Sequence, residues 1–73
     1  MEYLVVKFDE KRGVKVNGAS GKRVTNETLP LRAGTHKITL EPPPDFIPPE
    51  IEVVLTHTAV NAPKVIIFKK VLP

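Results

Sequence analysis

Val14-Lys15-Val16-Asn17-Gly18 and Leu29-Pro30-Leu31-Arg32-Ala33-Gly34-Thr35-His36-Lys37-Ile38-Thr39-Leu40 decide the fold class of this 73-residue chain. Val14 and Val16 flank Lys15, Leu29 and Leu31 flank Pro30, and Ile38 and Leu40 alternate with Lys37 and Thr39. Period-two spacing sends alternate side chains to opposite faces of an extended strand. Asn17-Gly18 is a favoured pair where both central residues of a tight turn take positive φ, so the strand at Val14 ends in such a turn. Ala33-Gly34 reads as a hairpin connection between Leu31 and Ile38. Pro30 cannot donate to a ladder and predicts an edge strand.

The same alternation runs outward in both directions. Leu4, Val6 and Phe8 alternate with Tyr3, Val5 and Lys7, and Ile51, Val53 and Leu55 alternate with Glu52, Val54 and Thr56. Val65-Ile66-Ile67-Phe68 is a continuous run, as expected of a strand apolar on both faces. Gly or Pro interrupts every candidate helix. The pattern predicts one all-β domain, a small two-sheet antiparallel β-sandwich of six or seven short strands, with a small barrel as the rival. Five of the eight prolines lie between positions 42 and 49. They predict a stiff, extended crossover that pins Phe46 and Ile47 onto the core. The segment lacks PxxP spacing, and a PPxY motif would need tyrosine where Phe46 stands.

Composition narrows the function classes. A chain this short buries only about 60% of its unfolded surface, so strand pairing, an oligomer or neighbouring domains must supplement the core. Cysteine is absent, which removes disulfides and the commonest structural zinc chemistry. No apolar run approaches a membrane span, and Met1-Glu2-Tyr3-Leu4 has no signal-peptide character. The expected setting is the cytoplasm, or the cell envelope if the module belongs to a larger exported protein. The net charge of +3 is segregated: residues 1–40 carry eight basic and four acidic side chains, and residues 41–63 carry four acids with no Lys or Arg. Such segregation gives either solvated surface or opposed patches that help modules stack.

Residues 13–40 resemble the PEGA domain, a small β-sandwich module of bacterial and archaeal proteins. Val14-Lys15-Val16-Asn17-Gly18 is similar to that family's V-x-V-(D/N)-G hairpin. Gly21-Lys22 and the Leu29–Leu40 stretch follow, the latter similar to its L-x-L-x-x-G-x-H-x-I-x-L pattern. Asp9-Glu10-Lys11-Arg12 stands where the namesake tetrapeptide belongs, and the proline-rich segment replaces the usual Gly-Tyr. The resemblance implies a non-catalytic accessory module of envelope or surface proteins, with no ligand residues to carry over.

Catalytic chemistry finds little support in the residues. Ser20 is the one serine, and neither His36 nor His57 comes with an orienting partner. His36 shares parity with Ile38 and Leu40 and is expected at the core or its rim. Two histidines without cysteine make a poor metal site, and no pattern calls for a cofactor. Gly18-Ala19-Ser20-Gly21-Lys22 lacks the glycine, hydroxyl residue and helix of a phosphate loop. Glu50 with Glu52, and Asp9 with Glu10, read as surface pairs. Asn26-Glu27-Thr28 meets the glycosylation pattern and marks an exposed loop.

Lys11, Arg12, Lys15, Lys22 and Arg23 could line one hairpin as a phosphate-tracking stripe, the alternative reading being a basic β-barrel for single-stranded nucleic acid. The shortage of exposed aromatics argues against it, since Phe8 and Phe68 are expected inside. The expected function is therefore a non-enzymatic spacer or interaction module for a protein or polysaccharide. Lys15, Lys22, Arg23 and Phe46 are the candidate contact residues.

Overall fold

Alternating aliphatics become strands wherever a second strand can take their hydrogen bonds. The computed structural model describes residues 1–71. Its strands are β1 (Glu2–Lys7), β2 (Val14–Val16), β3 (Thr28–Leu31), β4 (Gly34–Leu40), β5 (Phe46–Ile47), β6 (Ile51–Leu55), β7 (Lys64–Ile67) and β8 (Lys69–Lys70). No helix occurs among the described residues. Two three-stranded sheets, ordered β3-β1-β7 and β2-β4-β6, are joined by a β5-β8 ribbon, and none closes into a barrel. Eight strands thus stand where six or seven were expected. β5 and β8 are each two residues long, too short to show a period. Pairing is antiparallel except between β1 and β7, which run parallel with Val5 opposite Val65.

Three local expectations are corrected. Ala33-Gly34 is not a hairpin: β3 bonds β1, whereas β4 bonds β2 and β6, so the chain changes sheets at Arg32-Ala33. Gly34 takes φ +121° at this corner, a conformation that side chains with a Cβ disfavour. Val65–Phe68 is apolar on both faces but buried on only one. β7 is an edge strand, and Val65 and Ile67 remain 47% and 60% exposed. The proline crossover bends at Pro42-Pro43 and Pro48-Pro49 and is not extended throughout. Phe46 enters the core, and Ile47 points to solvent.

Other expectations hold. Asn17 and Gly18 have φ of 52° and 82°, and Val16 and Ala19 exchange both backbone hydrogen bonds across the turn. Pro30 lies on the edge strand β3, opposite Tyr3. One apolar cluster draws Leu4, Val6, Leu29, Leu31 and Ile66 from one sheet and Val14, Val16, Ile38, Leu40, Val53 and Leu55 from the other. Phe8, Phe46 and Phe68 close one end. Phe46 meets each of the other two rings edge-on, at centroid distances of 6.3 Å and 5.6 Å. Edge-to-face contact suits the ring quadrupoles.

Two polar devices hold the loops to this core. Asn26, at φ 64°, accepts from the Phe8 N–H and donates to the Phe8 carbonyl, so its amide imitates a neighbouring strand. Its nitrogen is thereby engaged, whatever the surrounding tripeptide suggests. Arg12 forms the second device. It makes a two-pronged bond to Asp45 (2.9 and 3.2 Å), donates to the Glu41 and Pro43 carbonyls, and lies over the Phe8 ring. Glu10 bonds both Arg12 and Lys70. The cluster ties the β1–β2 loop to the proline crossover and to β8.

Candidate functional site

An open groove of about 410 Å³ lies where the end of β2 approaches the end of β3. Inward parity supplies its apolar lining, Val16 from β2 and Leu31 from β3, with Pro30 beside them. Arg23, Arg32, Asn17 and His36 supply its polar lining. Arg23 reaches it because the chain returns alongside β2 after the Asn17-Gly18 turn, the Val14 N–H donating to the Arg23 carbonyl at 2.9 Å. Arg32 reaches it from the corner where the chain changes sheets.

Hydrogen bonding assigns the His36 tautomer. The Arg32 carbonyl, 2.7 Å from Nε2, can only accept, so Nε2 carries the proton. Asn17 Oδ1 accepts from the Lys37 N–H, which turns its Nδ2 toward His36 Nδ1 at 3.2 Å. Both ring nitrogens are therefore occupied. The imidazole braces the turn against the corner and has no free lone pair to serve as a base in this arrangement. Its half-buried place on the inner parity of β4 matches the expected rim position.

Charge decides what the groove attracts. Neither Arg23 nor Arg32 has an ion-pair partner among the described residues, and no carboxylate lines the groove. Glu10 and Asp45 are committed to the Arg12 cluster. Lys70 and Arg12 bond Glu10, and Arg12 bonds Asp45, which holds both carboxyls below their ordinary pKa. The same contacts raise Arg12, chiefly through Asp45, and Lys70, chiefly through Glu10. Arg12 is thus withdrawn from the basic stripe that the alternative, nucleic-acid reading places on this hairpin.

The candidate contact residues are dispersed. Arg23 lines the groove, and Lys22 is exposed beside it in sequence. Lys15 lies on the opposite face of β2 from Val16, opposite Thr39. Phe46 lies in the core, 9% exposed. Sequence reasoning misses Arg32, Asn17 and the brace through His36 as parts of the groove.

The remaining chemical candidates stay apart. Ser20 and His57 are exposed, and His57 sits at φ 57° just beyond β6. Among the described residues, no group of three His, Asp or Glu side chains is placed to hold a metal ion. No helix among the described residues is long and apolar enough to cross a membrane. No family model, curated protein or solved structure matches the chain.

Proposed function

We propose that this chain is a non-catalytic accessory module, a small β-sandwich that binds a carboxylate-bearing protein or polysaccharide partner through the groove between β2 and β3. The observation that carries this reading is Arg23 and Arg32, free of carboxylate partners among the described residues, over an apolar floor of Val16, Leu31 and Pro30. A guanidinium presents a planar fork that matches a carboxylate, and an apolar floor strengthens that pairing by excluding water. Lys22 extends the positive field toward the approach path. In this reading the two three-stranded sheets are the halves of the sandwich, and the PEGA-like stretch from Gly13 to Leu40 carries most of the groove. An accessory module of that kind belongs at the cell envelope.

Nucleic acid fits less well, because Phe8, Phe46 and Phe68 are buried and only Tyr3 is left as a half-exposed stacking surface. Titration with polygalacturonate, polyglutamate and oligothymidylate at about 50 and 300 mM NaCl distinguishes the partners. Either carboxylate polymer should bind, and Arg23→Ser with Arg32→Ser should weaken it about tenfold or more. Tighter binding of oligothymidylate at both salt concentrations would replace this reading with nucleic acid. No binding of any polymer at low salt would overturn it.

A further inference from the structure

The groove runs along the free edge of β3. Leu31 reaches it from the inward face of that outer strand and Pro30 from the outward face, and a cavity touches both faces of a strand only along its edge. Backbone pairing settles what this edge offers. Tyr3 stands opposite Pro30, and its N–H turns away from β3 to the Thr58 hydroxyl at 2.8 Å. In an antiparallel ladder the two residues of such a pair direct their N–H and C=O groups away from each other. The Pro30 carbonyl therefore points out of the sheet along the groove, and proline supplies no N–H beside it. The lining side chains have the opposite polarity. Arg23 and Arg32 can only donate, both His36 ring nitrogens are occupied, and Asn17 Oδ1 is taken by the Lys37 N–H.

We propose that the groove receives the free C-terminus of an extended peptide that ends in an aliphatic residue. This rests on the carboxylate reading of the groove and names its ligand. A terminal carboxylate is an acceptor-only group and fits the guanidinium forks of Arg23 and Arg32. The aliphatic side chain of the same residue lies on the floor of Val16 and Leu31, and a backbone N–H of the peptide meets the Pro30 carbonyl, as when a strand adds to a sheet edge. Pro30 also limits the addition. The edge lacks a donor there, so the last residues of a partner can pair and a long strand cannot. The volume of about 410 Å³ lies at the low end for small-ligand sites, the size of a chain end. A uronate chain brings hydroxyl donors for which the lining side chains leave no acceptor. A fatty acid satisfies the arginines and the floor but leaves the Pro30 carbonyl unmet.

Fluorescence anisotropy with N-terminally labelled hexapeptides of glycine and serine, at about 50 mM NaCl, tests the proposal. The peptide ending in leucine with a free carboxylate should bind with a Kd below about 1 mM. Its C-terminal amide should bind about tenfold more weakly or worse, because the charge that the arginines meet is gone. A peptide ending in glycine should lose about tenfold through the missing apolar contact. Arg23→Ser with Arg32→Ser should weaken the leucine acid about tenfold or more and bring it level with its amide, with an unchanged β-type circular dichroism spectrum. An amide that binds as tightly as the acid would overturn the proposal, as would a glycine ending that binds as tightly as leucine. Octanoate that binds as tightly as the leucine peptide would overturn it too, since no backbone N–H is then needed. Binding of polygalacturonate or polyglutamate without binding of the leucine acid would overturn this inference and leave the groove reading standing, whereas failure of every carboxylate ligand would remove both.

Discussion

Thr25 is the one fully buried polar side chain among the described residues, 1% exposed. Its hydroxyl donates to the Glu10 carbonyl at 2.7 Å and accepts from the Arg12 N–H at 2.9 Å. Thr25→Val keeps the shape of the side chain, opens no cavity and removes both bonds. Each intramolecular hydrogen bond contributes about 0.5–1.5 kcal/mol net, so the expected loss is about 2 kcal/mol. The Asn26 amide, 3.5 Å from the same Glu10 carbonyl, is too distant to replace the hydroxyl. Thr25→Ser makes the opposite change: it keeps the hydroxyl and deletes one methyl, at a cost of about 1 kcal/mol. A chain of this size is expected to hold about 4–11 kcal/mol in all, so the valine variant removes a substantial share. Its melting temperature should fall by roughly 8–16 °C. Urea and thermal unfolding followed by far-ultraviolet circular dichroism give both quantities, and tyrosine emission from Tyr3 is a second probe in a chain without tryptophan. A valine variant as stable as the parent, or more stable than the serine variant, would refute the assignment of Thr25 as the polar anchor of the Arg12 loop.

Two further outcomes follow from the packing and the charge cluster. Glu10 and Asp45 have folded pKa values depressed by Lys70 and Arg12, so their stabilisation is complete above the ordinary carboxylate pKa of about 4 and is lost as pH falls through the folded values. Glu10→Gln with Asp45→Asn should lower the melting temperature at neutral pH and flatten its decline below about pH 4, and an acid limb as steep as the parent's would sink this account. Phe68, 1% exposed and edge-on to Phe46, should cost about 3–5 kcal/mol as Phe68→Ala, a large share of the total; cooperative unfolding near the parent's midpoint would show that the rings do not anchor that end of the core.

The all-β class and six of the strands are legible in the amino-acid order alone, because a strand's inward and outward faces alternate in the chain itself. Asn17-Gly18 and Pro30 are legible for the same kind of reason, since positive φ and a missing N–H are properties of single residues. Partner choice is not. Leu31 and Ile38 carry the same inward signal whether their strands share a sheet or face each other across the core, so the change of sheets at Arg32-Ala33 leaves no mark in the periodicity. β5 and β8 leave none either, because two residues cannot display a period.

The groove belongs wholly to the second category. Arg23 can be picked out as basic, but its joining with Arg32 depends on the turn at Asn17 and the corner at Gly34 bringing distant segments to one end. Arg12 shows the reverse case, a cation that reads as free in the chain and is neutralised by Asp45, thirty-three positions away. Local geometry is written into the order of residues because it depends on neighbours. Charge pairing and concavity arise between segments that only the folded chain brings together.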